Sequence, residues 1–101
     1  MNYRLTVKAR RHLSEILRHS LAAFGERVTG ELQTRLTASF SRIAEFPHAG
    51  RTRPELTSRP LLFLSESPFL IVYRLLPASV EILDVLHAAR DLPVVLRDRV
   101  D

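Results

Sequence analysis

Four histidines, His12, His19, His48 and His87, hold most of the acid–base chemistry open to this chain of 101 residues, alongside eleven carboxylates and fifteen cations. A metal centre needs several such side chains converging at short local spacing. The closest histidines, His12 and His19, are separated by two helical turns, roughly 10 Å of axis, too far to share one ion. There is no cysteine, which removes thiolate ligands, thiol nucleophiles and disulfides together. The only glycines are Gly25, Gly30 and Gly50; none forms the sharp serine-bearing turn of an acyl transferase or a phosphate-cradling loop. We therefore expect no metal and no cofactor. Strand alternation places Glu81 and Asp84 on opposite faces, so they are not expected to act as a paired acid and base.

Metal-free cleavage of RNA asks for less: a base for the 2′-hydroxyl, an acid for the leaving oxygen and a cation for the phosphorane. Arg51, Arg53, Arg59 and Arg74 offer cations, and His87 or Glu55 a base. The structural reading outweighs this one. His87 closes a strand, where its ring can bond to backbone, and loop arginines are ordinarily solvated. No Lys or Tyr follows Tyr73, so the C-terminal segment has no stacking ring or second acid.

The elements that would position these groups follow from periodicity. Residues 3–7 alternate and read as a short first strand. Ala9, Leu13, Ile16, Leu17, Leu21 and Phe24 then recur at helical spacing, with Thr6 as cap and Gly25 as stop. The stripe restarts at Val28, Leu32, Leu36, Phe40, Ile43 and Ala44, and Pro47 ends it at Phe46. Two helices joined at Gly25 form a hairpin. Gly30, inside the second, implies close packing or a frayed start, fraying being the plainer choice. Residues 47–60 form a polar, basic loop. Extended segments follow at 61–64, 69–75 and 80–87, joined by short turns into an antiparallel meander. The middle segment is apolar on both faces: a central strand, with the hairpin on one side and some other cover on the second. The tail beyond Asp91 can form one or two helical turns from Pro93. The order is β-α-α-β-β-β, an α+β fold with a small antiparallel sheet packed on a helical hairpin, in a single domain over residues 1–101.

Composition bounds the setting. At 46% apolar and 26% charged the chain is globular rather than disordered. The lack of cysteine, of a membrane-length apolar run and of a signal-like N-terminus leads us to expect a soluble cytoplasmic protein. The net charge of +4 comes from fourteen arginines and Lys8 against eleven acids, which favours an acidic partner, nucleic acid or a phosphate-rich assembly. The arginines are scattered and form no run, so the count itself singles out none of them.

At this point the residues match a family. The chain resembles the ParE branch of the RelE/ParE toxin superfamily. The matching pieces run in order: Leu5-Thr6 with Ala9 and Leu13; Phe24-Gly25; Phe46-Pro47-x-x-Gly50-Arg51; Arg59; Ile71-Val72-Tyr73-Arg74; and 80–87 followed by x-x-Arg90-Asp91. The ending is ParE-like. His12 stands where an acidic residue is common, a change that we assign to surface charge.

The resemblance implies a toxin of a type II toxin–antitoxin system that inhibits DNA gyrase without being an enzyme. It also implies a cognate, partly disordered ParD-like antitoxin in a hetero-oligomer. The alternative is a RelE-like, ribosome-dependent mRNA endoribonuclease using Arg59, Arg74 and His87. A blander third reading is a degenerate toxin kept as an antitoxin-binding module. The basic side chains Arg51, Arg53, Arg59, Arg74 and Arg90 are the expected antitoxin or target contacts, reached along the hairpin or at an open sheet edge.

Overall fold

The computed structural model describes residues 2–92. Strand β1 (Asn2–Leu5) leads into a helical span, α1 (Val7–Glu45), followed by β2 (Leu62–Glu66), β3 (Phe69–Leu75) and β4 (Ser79–His87). Gly25 interrupts α1 with φ 85° and ψ −177°, a left-handed φ that a side chain would strain. The chain folds back there. Thr29 Oγ1 donates to Ser20 Oγ at 2.9 Å, although nine residues of unbroken helix would separate them by roughly 13 Å. The hairpin arms, 7–24 and 26–45, thus match the expected pair. Gly30 is helical and has nothing within 4 Å of where a Cβ would sit, so close packing does not explain it.

The sheet order is β1-β4-β3-β2. The meander from β2 to β4 is antiparallel, as expected, while β1 pairs parallel to β4, Asn2 opposite Ser79 through Leu5 opposite Ile82. The connection between these two strands runs through both hairpin arms, the loop, β2 and β3, long enough to bring the chain back in the parallel sense. Three strands shift their bounds. The first starts at Asn2 and stops at Leu5 because Thr6 is already the helix cap, the second runs from Leu62 to Glu66 rather than over 61–64, and the last starts at Ser79 rather than Val80.

Each face of the sheet has its own core. On the hairpin side Ile16, Leu36, Phe40 and Ile43 pack against Ile71, Tyr73, Val80, Ile82 and Val85, and the Tyr3 ring sits 5.7 Å from that of Phe40. On the other side Leu56 and Leu61 cover Phe63, Leu70 and Val72. The second cover is therefore supplied by the chain itself: the polar loop carries one apolar residue, Leu56, that is fully buried. The loop is anchored through the Tyr73 hydroxyl, which donates to the Pro47 carbonyl and accepts from the Gly50 N–H, both at 2.8 Å. A Cβ on Gly50 would lie 2.8 Å from the Tyr73 ring and 2.9 Å from the Phe63 carbonyl. That close approach explains the Pro47-x-x-Gly50 spacing. Burial pushes the Tyr73 hydroxyl pKa up, with the Gly50 contact opposing it.

A bulge between Val72 and Tyr73 shifts the β3–β4 register: Tyr73 pairs with Ile82 and Val72 with Asp84, skipping Leu83. Strict alternation would separate Glu81 and Asp84. The bulge instead places them opposite Arg74 and Val72, two residues on one face of β3, correcting the expectation of opposite faces. Residues 88–92 are helical. The expected turns beyond Pro93 lie outside the described residues.

Candidate functional site

The site follows from one junction. Thr6 ends β1 and caps the first arm: its hydroxyl accepts from the Ala9 N–H at 3.0 Å and donates to the Leu83 carbonyl at 3.1 Å, while its own N–H reaches the Ile82 carbonyl at 3.0 Å. β1 therefore covers β4 only as far as Ile82. Beyond it a groove of about 710 Å³ opens beside β4 and extends over the second face of the sheet as far as Val72 and Phe63. Its floor is apolar, from Leu61, Phe63, Val72, Leu83 and Leu86; its rim carries Lys8, His12 and Glu15 from the first arm, Arg59 from the loop, and Arg90 and Asp91.

Asp84 joins the first arm to this strand. Its Oδ1 lies 2.6 Å from His12 Nδ1 and accepts from the Val85 N–H at 2.8 Å, and its Oδ2 lies 3.5 Å from Lys8 Nζ. His12 is part-buried against β4, which corrects the assignment to surface charge.

Downstream, His87 and Asp91 form a reciprocal cap on the helical turn 88–92. His87 Nδ1 accepts from the Arg90 N–H at 3.2 Å, and Asp91 Oδ2 accepts from the His87 N–H at 2.7 Å. Burial pushes the Asp91 carboxyl up, but the Arg90 guanidinium, 3.0 Å away, and the His87 N–H together hold it below the usual range. The ParE-like ending Leu86-His87-x-x-Arg90-Asp91 is thus a strand end with its helix cap. The His87 ring also stands edge-on to Phe69 at 5.5 Å.

The other expected residues divide around this groove. Arg59 and Arg90 line it. Arg74 does not: with Arg4 it flanks Glu81 in a cross-strand ladder, with contacts of 2.7 Å and 2.8 Å to the carboxylate. Burial raises the Glu81 pKa, and the hydrogen bonds from Arg74 and Arg4 outweigh it, leaving the carboxyl below its ordinary value. Arg53 reaches Glu55 at 3.3 Å; Glu55 is held low chiefly by a backbone hydrogen bond, with Arg53 adding to it. Arg51 uses its backbone to bridge Phe63 at the outer side of β2. Arg59, Arg74 and His87, the alternative catalytic set, therefore do not meet in the groove; of the three only Arg59 lines it. Among the described residues no three His, Asp or Glu side chains converge as a metal site, and no helix is long and apolar enough to cross a membrane. Sequence reasoning missed the His12–Asp84 contact, which joins residues 72 apart and leaves no local signal beyond a polar residue beside an apolar stripe.

An α+β architecture of helical hairpin and four-stranded mixed sheet is shared with a solved structure described as the chromosomal ParDE TA system from P. aeruginosa. The TM-score is 0.72 at 20% identity, covering 86% of this chain and 95% of that one. The model of the ParE toxin of type II toxin–antitoxin systems, parDE, matches residues 3–92, and the chain belongs to that family. No curated protein matches the sequence.

Proposed function

We propose that this ParE toxin acts in the cytoplasm by inhibiting DNA gyrase, so blocking replication and growth, and that direct binding of a cognate, partly disordered antitoxin neutralises it. Family membership carries the reading. The site supports a binding role over a catalytic one: the imidazole of His87 caps a helical turn and Arg74 is committed to Glu81. The first arm also presents Lys8, Arg10, Arg11 and Arg18 against one acid, Glu15, a basic surface that attracts an acidic chain.

The test is a gyrase supercoiling and DNA-cleavage assay with the purified chain, run beside an in vitro translation reaction. Gyrase-dependent accumulation of cleaved DNA with translation intact is the expected result. Untouched gyrase with truncated messenger RNA would overturn it in favour of a ribosome-dependent endoribonuclease.

A further inference from the structure

Among the described residues no strand pairs with the outer edge of β4 past Ile82, and the outward N–H groups of Val85 and His87 are occupied by the chain's own carboxylates. The Ala88 N–H bonds the Pro68 carbonyl while Phe69 faces His87. In an antiparallel ladder this makes Phe69–His87 and Ile71–Val85 the non-hydrogen-bonded pairs, so the Val85 and His87 N–H groups point away from β3. Both are capped by side chains, Val85 by Asp84 Oδ1 at 2.8 Å and His87 by Asp91 Oδ2 at 2.7 Å. These are the positions where the carbonyls of an added strand would bond.

Each capping carboxylate already has a second partner. Asp84 keeps His12 and Lys8, and Asp91 keeps Arg90, if the N–H is given up. Neither acid would be left buried and unpaired, so exchange costs one hydrogen bond that the incoming strand replaces. Space and chemistry agree. The groove reaches this same edge at Asp84, Val85 and Asp91, with Leu83 and Leu86 in its floor, and Arg59 on its rim has no carboxylate partner among the described residues. The neighbouring first arm is basic and the whole chain carries +4.

We propose that Asp84 and Asp91 are displaceable plugs on the β4 edge, and that the groove takes an extended segment of alternating apolar and acidic residues as a fifth strand. Its apolar side chains rest on Leu83 and Leu86 on the second face, its acids face Lys8 and the basic first arm on the other, and its carbonyls take the Val85 and His87 N–H groups. The identification of this segment as part of the antitoxin rests on the preceding functional reading; the edge geometry does not.

The probe is an acetylated, amidated heptapeptide of alternating Glu and Leu, added to the purified full chain while amide resonances are followed by NMR. Shifts centred on Val85 and His87 are expected, with their hydrogen exchange slowed about tenfold at saturation. N-methylation of all the Leu nitrogens blocks one edge of the peptide, and N-methylation of all the Glu nitrogens blocks the other. One set should weaken binding about 30-fold and the other less than about threefold. Equal losses from both sets, shifts centred on the hairpin, or no binding at about 1 mM peptide would overturn the proposal. Co-expression with the product of an adjoining short acidic reading frame separates the two readings. Rescue of growth without protection of the Val85 and His87 amides defeats the edge assignment alone. Peptide binding at the edge without rescue by that product defeats the antitoxin reading alone.

Discussion

Along its outer side β4 is completed in two different ways. Over Ser79–Ile82 it carries β1, residue by residue, in a parallel ladder, and Glu81 is clamped between Arg4 and Arg74. Over 83–87 it carries side chains: the Thr6 hydroxyl on the Leu83 carbonyl, Asp84 on the Val85 N–H and Asp91 on the His87 N–H. Both halves meet the rule that backbone polar groups find partners. They differ in what releasing those partners costs. Removing β1 would strip a set of bonds and uncover Ile82, whereas swinging one carboxylate aside breaks a single bond. The first half is built to hold and the second to exchange.

The largest expected effect comes from hollowing the first half. Ile82 is fully buried in the hairpin-side core, so Ile82→Ala should cost about 2–5 kcal/mol in urea unfolding, as for other buried truncations. Leu86, only partly buried on the groove floor, should cost clearly less on the same change. Equal losses would erase the distinction between the two halves.

Next is the ladder. Glu81→Gln leaves one oxygen to serve two arginines, and should cost about 1–3 kcal/mol; both guanidiniums are half exposed and regain water, which keeps the loss from being larger. It should also change the acid response. With its folded pKa below the ordinary value, Glu81 contributes fully above its unfolded pKa of about 4.3. That contribution is lost as the pH falls from there through the lower folded value. Unfolding free energy measured from neutral to acid pH should fall less steeply in Glu81→Gln than in the parent chain. Parallel curves would mean that the ladder holds the carboxylate no more tightly than the unfolded chain does.

A smaller effect is expected at the plug. Asp91→Ala removes the cap on the His87 N–H and one end of the reciprocal helix cap, for about 1 kcal/mol. The exchange rate of the His87 amide should rise while those of the β1–β4 ladder stay in step with global stability. If both rise together, the two halves open as one unit.

How much of this contrast was legible before the structure depends on distance along the chain. The hairpin was readable because its stripe recurs every three or four residues and Gly25 interrupts it. β3 was readable because both of its faces are apolar. The parallel pairing of β1 was not, since nothing within residues 2–5 records that the partner lies some eighty positions away. The bulge hid the shared face of Glu81 and Asp84, because alternation assumes an unbroken register. Leu56 falls within the segment that reads as a polar, basic loop, and its burial requires the sheet beneath it. Of the candidate residues, Arg59 and Arg90 fall where the groove is, whereas His12 and Asp84 become informative only once the first arm lies beside β4.

The smallest expected change is also the cleanest control, because it touches neither half. Gly30 lies within the second arm with open space around it, so Gly30→Ala should gain about 0.5–1 kcal/mol from helix propensity and the lower entropy of the unfolded chain. Amides that exchange only through global unfolding, as expected for those of the β1–β4 ladder, should then slow by about two- to fivefold. The Val85 and His87 amides, if their carboxylates swing away locally, exchange through an opening that leaves Gly30 helical, and their rates should not move. Uniform slowing across β4 would mean that the carboxylates leave only when the whole domain unfolds, and the downstream edge would then be as permanently sealed as the upstream one.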